Sequence, residues 1–277
     1  MMGSGIQRDD IKVLRDLSLA SLMRGRDGTG FAFGSSWQPK TIEIAKTPSD
    51  VIYWEWDHFK DEEFVKRYTK ILTNNFYLGH TRSSTSGEDT HAATHPFDFT
   101  NLIGMHNGTL HSLNWEGYAN DSEKLYSLIN AGGVENAISH LEEGDAYALV
   151  WFDKKTKKVN FLRNKERTLH FAIHPTRTVM YWYSEEKMLR AVLARNGIEP
   201  RGNSTYYFQP HYHYQFDPSH IINHKDQTAK YEVSSITPEP KRAHNSNVVP
   251  FTTNDGRSWD EVDASERERM LAVMGDK

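Results

Sequence analysis

The chain opens with an apolar, glycine-rich run, Met1-Met2-Gly3-Ser4-Gly5-Ile6, which reads as a short strand whose backbone passes something closely. From Asp9-Asp10 the apolar positions Ile11, Leu14, Leu17 and Leu22 have helical spacing, with two acids at the favourable end. The spacing predicts a helix of about 14 residues ending near Met23. Gly25, Gly28 and Gly30 predict a tight loop before a strand at Phe31 to Gly34. Without a following GK[ST], this loop carries no phosphate-cradle signature. Residues 41 to 46 read as a strand. Residues 49 to 70, with Trp54, Trp56, Phe59 and Phe64, read as a helical and irregular excursion. Strands follow at Asn75 to Thr81 and Leu102 to Met105. Asp121 is placed as N-cap of a helix carrying Leu125, Leu128 and Ile129, stopped by Gly132-Gly133 and followed by a short helix to about Leu141.

Four strands with alternating or wholly apolar patterns come next: Ala146 to Phe152, Val159 to Arg163, Leu169 to Ile173 and Val179 to Tyr183. The run Lys154 to Lys158 between the first two reads as a solvated hairpin turn. Ser184-Glu185-Glu186 begins a helix through Met188, Leu189 and Val192, and Tyr206 to Phe216 reads as an aromatic, histidine-bearing strand. Strand pairs alternating with helix pairs predict an α+β fold. The organisation expected is a domain over 1–195, a strand segment over 196–225 packing on or extending it, and a polar, flexible tail over 226–277. Within that tail 226–257 is extended or disordered, and Trp259 to Met274 can form an amphipathic helix.

Composition narrows the function. The 277 residues are 37% hydrophobic and 12% aromatic, as in a soluble globular protein. No apolar run reaches the roughly 20 residues that span a bilayer, and no signal-peptide pattern is present, so a cytoplasmic location is expected. A net charge of −4 leaves no basic footprint for nucleic acid. With no cysteine, neither a disulfide nor a thiolate metal site can form. His91 and His95 lie four apart near His80, His106 and His111, and His211 and His213 share a strand face near Asp217. Neither set has a metal-binding pattern, so no metal and no cofactor are expected.

The chemistry concentrates between residues 79 and 123. Gly79-His80-Thr81-Arg82-Ser83-Ser84-Thr85-Ser86-Gly87, His95-Pro96, Met105-His106-Asn107-Gly108-Thr109 and Asn120-Asp121-Ser122-Glu123 are polar clusters, each beside an apolar run. Arg82 can fork onto a carboxylate, and Asp121 can hold an ammonium group. Asn107 and the backbone at Gly108 supply neutral N–H donors of the kind that stabilise an oxyanion. Together these suit a free amino acid. Their bland alternatives are a surface ion pair for Arg82, a helix cap for Asp121 and an Asn-Gly turn at 107–108.

These residues resemble a known family. GHTRSSTSG is similar to the GHTRWATHG motif of class II glutamine amidotransferases, MHNG to their (V/M)HNG motif, and NDSE to their (T/S)D(T/S)E motif. Arg24-Gly25-Arg26-Asp27-Gly28-Thr29-Gly30 is similar to their RGxDSxG. The resemblance covers roughly residues 1 to 195, and the motifs keep the family's order. It implies the four-layer αββα sandwich of N-terminal nucleophile hydrolases, with a C-terminal extension. It further implies hydrolysis of glutamine to glutamate and ammonia for an acceptor reaction on another protein. Arg82 and Thr85 would hold the substrate α-carboxylate and Asp121 its α-ammonium, with Asn107 and Gly108 forming the oxyanion hole.

The family's nucleophile is an N-terminal Cys whose own amine is the general base. No Cys stands in this chain, and three readings are open: Ser4-Gly5-Ile6 as a substituted Cys-Gly-Ile, a parent that begins just upstream of Met1, or an inactive relative. The family's spacing to the Arg of RGxD puts the nucleophile about two positions ahead of Met1. Ser83 replaces the family's Trp and Ser86 its His, which bears on how the pocket is sealed. Nothing in 196–277 resembles an ammonia-using synthase, so the acceptor would be a separate partner protein. The reading from a different class is a catalytically inactive glutamine-binding or protein-interaction module.

Overall fold

Residues 8–20 become a helix because Val13, Leu14 and Leu17 line one face while acids occupy its first turn. The backbone N–H of Gln7 donates to the Asp10 carboxylate at 2.7 Å, tying down the helix start. A single turn of 3-10 helix, Ser21–Met23, carries the chain to the end expected from the sequence. The computed structural model describes residues 1–52, 62, 66, 74–222 and 229–236. The expectations for Trp54, Trp56, Phe59 and Phe64, for most of the 226–257 stretch and for the helix from Trp259 to Met274 lie outside the described residues.

Helix α1 (Arg8–Ala20) is followed by β1 (Gly28–Gly34), β2 (Glu43–Thr47), β3 (Phe76–Arg82), β4 (Phe97–Asp98) and β5 (Leu102–Thr109). Helix α2 (Asp121–Ile138) precedes β6 (Ala146–Asp153), β7 (Lys158–Arg163), β8 (His170–Ile173) and β9 (Met180–Tyr183). Helix α3 (Glu186–Arg195), β10 (Tyr206–Tyr207), β11 (Tyr212–Phe216) and β12 (Glu232–Ser235) complete the described elements. Gly133, at φ 84° and ψ 171°, breaks α2 where the paired glycines predicted a stop.

Among the described residues every ladder is antiparallel. Strands run β2-β1-β3, β10-β8-β9 and β12-β11-β7-β6-β5-β4. Met2 joins the first two sets by bridging Phe76 of β3 on one side and Met180 of β9 on the other. Gly3 is required just after it. Its φ is +143°, and a Cβ would lie 2.0 Å from the carbonyl oxygen of Thr178.

Strand alternation accounts for the unbroken apolar runs. Ala148, Val150 and Phe152 of β6 face a core with Met2, Phe76, Leu78 and Phe171, where Phe76 stacks on Phe152 at 4.4 Å. Tyr147, Leu149 and Trp151, the alternate residues of β6, face Leu125, Tyr126 and Ile129 of α2. A third cluster packs Leu14 and Leu17 of α1 and Leu189 and Leu193 of α3 against Phe31, Tyr77 and Tyr181. Among the described residues no helix is long and apolar enough to cross a membrane.

The stretch Tyr206 to Phe216 is two strands in different sheets rather than one. Tyr206 and Tyr207 pair with β8, and Tyr214 to Phe216 pair with β7. The break falls at Pro210, which has no N–H to give a ladder, and at His211, whose φ is +67°. His211 therefore does not share a strand face with His213, which is buried and bonded to Asn160 Oδ1 at 2.9 Å. Within the polar 226–277 region, Glu232–Ser235 pairs with β11.

Candidate active site

Strand β3 ends at Arg82, β5 ends through His106-Asn107-Gly108-Thr109, and α2 begins at Asp121. The three ends meet at a cavity of about 160 Å³ that Arg82, Thr85, Asn107, Gly108 and Asp121 all line. A second cavity, about 120 Å³ and reaching Met1, Leu17, Met105 and Trp182, shares Arg24, His80, Thr81 and Asn107 with the first. The polar site thus adjoins an apolar recess between sheet and helix.

Arg24 to Asp27 cradle the turn that leaves β3. Asp27 N–H donates to the Arg82 carbonyl at 2.9 Å, and Ser84 N–H donates to the Asp27 carboxylate at 2.8 Å. A Cβ at Gly25 would lie 2.3 Å from the Arg82 carbonyl, so glycine is needed for this close approach. The glycine-rich loop therefore positions Arg82 rather than a phosphate. Arg24 pairs with Glu185, which ties the site's outer wall to the start of α3.

Asp121 is not the cap of α2. Asn120 has the extended backbone a cap requires, and its Oδ1 accepts from Glu123 N–H at 2.9 Å while Glu123 accepts from Ala119 N–H at 2.6 Å. Asp121 is the first helical residue. Its buried carboxylate accepts from Leu110 N–H at 2.9 Å, Ser122 N–H at 2.9 Å and Ser86 Oγ at 2.7 Å. Arg82 is likewise buried, and its guanidinium donates to Asp89 and to the Ser86 carbonyl, each at 2.6 Å. Thr85 Oγ1 lies 3.0 Å from Thr109 Oγ1 at the exposed rim.

Asn107 and Gly108 lie on β5 rather than in a turn, because the ladder with β6 runs on to Thr109. Tyr147, opposite Gly108, uses its N–H on Asn164 Oδ1 and its carbonyl on Asn164 N–H. The ladder therefore does not claim the Gly108 N–H at that register. Gly108 has φ +148°, and a Cβ there would come within 1.8 Å of the Ala146 carbonyl oxygen. The Asn107 side-chain amide hydrogen-bonds no described residue and lines both cavities.

Beneath the site lie three histidines. The rings of His80 and His95 are 4.0 Å apart, and His95 also packs edge-on against Phe97 at 4.7 Å. Burial, reinforced by the neighbouring His106, pushes His80 down to about 3. Burial also holds His95 well below the ordinary histidine range, and neither of its ring nitrogens has a partner among the described residues. His106 is lowered by burial too, against the pull of Asp121. Its Nδ1 lies 2.8 Å from Ser122 Oγ and its Nε2 3.2 Å from the Ala146 carbonyl. These are neutral packing groups under a charged site. Sequence reasoning missed Asp89 and Arg167 as neighbours of the site. Nothing in their local sequence distinguishes them.

No protein-family model and no curated protein matches the sequence. A solved structure described as that of the allosteric regulatory enzyme of purine biosynthesis superposes with a TM-score of 0.55 at 18% identity. The match covers 82% of this chain and 47% of that one. The two share a fold. The chain spans about half the length of that enzyme. In the order of its motifs the chain resembles the class II glutamine amidotransferases. A predicted glutamine amidotransferase from Pseudomonas aeruginosa PA01 overlaps at a TM-score of 0.32 and 14% identity, over 58% of this chain and 72% of that one.

Proposed function

We propose that this chain is a cytoplasmic glutaminase of the class II amidotransferase type, hydrolysing glutamine to glutamate and ammonia for an acceptor reaction on another protein. The observation that carries the reading is the convergence of Arg82, Thr85, Asn107, Gly108 and Asp121 on one cavity, with Met1 lining the adjoining recess. The packing of α1 and α3 on one sheet set, of α2 on the other, and of the two sets on each other supports an αββα sandwich.

The register supports a nucleophile two positions ahead of Met1. Met2 lies opposite Phe76, and Met1 exchanges both backbone hydrogen bonds with Tyr77, each at 2.8 Å. Continued antiparallel at about 3.4 Å per residue, the two positions ahead of Met1 face Leu78 and Gly79. That brings a Cys at the second position to the cavity wall formed by Gly79, His80 and Asn107. Burial pushes an α-ammonium at Met1 well below its ordinary pKa, whereas an amide N–H donating to Tyr77 carries no such cost.

The chemistry then follows. The Cys amine takes the thiol proton, and sulfur attacks the side-chain amide carbon of glutamine. Asn107 and the Gly108 N–H receive the oxyanion, the protonated Cys amine gives its proton to the leaving nitrogen so that ammonia departs, and water, its proton taken by the freed amine, then hydrolyses the thioester to glutamate and the free thiol. Arg82 and Asp121 fix the α-carboxylate and α-ammonium so that the amide points at the sulfur.

The test is to add Cys-Gly ahead of Met1, with the Cys amine free, and measure ammonia and glutamate. The chain without the addition releases neither above background. The extended chain hydrolyses glutamine, its Cys→Ala form does not, and Asn107→Ala in that background loses about 100-fold. An extended chain that binds glutamine and never forms glutamate leaves a binding module instead.

A further inference from the structure

Arg82 and Asp121, the two ionic groups assigned to the ligand's charged ends, are already engaged by the short loop that follows β3, while Arg24 and Arg167 also line the cavity. Asp89 offers a carboxylate to Arg82 at 2.6 Å, and Ser86 offers a hydroxyl to Asp121 at 2.7 Å. The loop thereby presents an anion to Arg82 and a donor to Asp121, the complementary pair that a free amino acid presents. Resting on the glutaminase reading above, we infer that Asp89 is a specificity-determining residue that competes with the ligand's α-carboxylate for Arg82.

The asymmetry of the pair supports exchange over simple pairing. The Arg82 side chain is 5% exposed and that of Asp89 53%. A buried guanidinium left without an anion is strongly unfavourable, whereas a half-exposed carboxylate loses little by turning to water. An incoming carboxylate can therefore take the place of Asp89 with the charge on Arg82 neutralised throughout. A ligand without a carboxylate has no such route and cannot open the pair.

The loop is anchored outside the exchanging groups. Ser84 N–H is held by Asp27 at 2.8 Å, and the Ala93 carbonyl accepts from Asn120 Nδ2 at 2.9 Å. Residues 85 to 89 can thus rearrange between fixed ends.

The experiment measures glutamine binding by calorimetry to the full chain and to Asp89→Asn and Asp89→Glu. Asp89→Asn removes the competing charge and should tighten glutamine binding about fivefold, the scale set by a half-exposed ion pair. Asp89→Glu keeps a carboxylate within reach and should stay near the parent. Binding of the α-amide of glutamine, which lacks the carboxylate, should not improve in Asp89→Asn. Weaker glutamine binding in Asp89→Asn would make Asp89 an orienting partner of Arg82 and overturn the inference. A second readout is independent of the ligand: phenylglyoxal modification of Arg82, followed by mass spectrometry, should be faster in Asp89→Asn than in the parent. If neither form binds glutamine while Arg82 modification still depends on Asp89, the glutaminase reading fails and the competition at Arg82 stands. Unchanged modification together with unchanged affinity overturns the competition itself.

Discussion

Lowering the pH from 7 to 5 should destabilise this fold well before its carboxylates are protonated. The reason is the histidine group beneath the site. In the unfolded chain His80, His95 and His106 take up protons near pH 6.5. In the folded chain burial keeps all three neutral below that point, His80 down to about 3. As pH falls through 6.5 the unfolded state binds protons that the folded state refuses, so stability falls with pH. Each such histidine costs about 1.4 kcal/mol per pH unit, and over the 1.5 units from 6.5 to 5 His80 alone costs about 2 kcal/mol. His95, lowered by the same burial, acts in the same direction. Against a typical domain stability of about 5–15 kcal/mol this is a large fraction. Urea titrations followed by tryptophan fluorescence at pH 7.5, 6.5, 5.5 and 5.0 should show a plateau above 6.5 and a decline below it. In His95→Phe, where the ring can keep its contact with Phe97, the decline should be shallower. A midpoint unchanged between pH 7 and 5, or an unaltered slope in that variant, refutes the reasoning.

Arg82→Ala should weaken glutamine binding by about 1.5 to 3 kcal/mol in calorimetry, the range of a hydrogen bond to a charged group. Gly108→Ala forces a side chain against the Ala146 carbonyl at positive φ. It should cost more than about 1 kcal/mol of stability in urea titration and lower glutamine affinity in the same preparation. Tyr126→Phe removes a buried hydroxyl that donates to the carbonyls of Met105 and Val150, and should cost about 1 kcal/mol of stability with little effect on binding.

Where the period of apolar residues was regular, local structure was legible: α1, β6 to β9 and α3 lie within a residue or two of the pattern. The motif residues were legible as a group because their types are rare in that combination. Three features were not legible, each because it depends on contacts distant in sequence. The cap of α2 is Asn120, since the Asp121 carboxylate is drawn away by Leu110 and Ser86. The aromatic strand is divided because its halves find partners in different sheets, β8 and β7. The engagement of Arg82 by Asp89 has no pattern at all, since an acid in a polar loop is the most ordinary of residues.

The bridge at Met2 has a practical consequence for anyone handling this protein. Met2 is held between β3 and β9, and Met1 pairs with Tyr77 and lines the recess, so residues fused directly ahead of Met1 start beside that recess. An affinity handle at this end is therefore expected to crowd the recess, and binding measurements are better made with the handle at the other terminus.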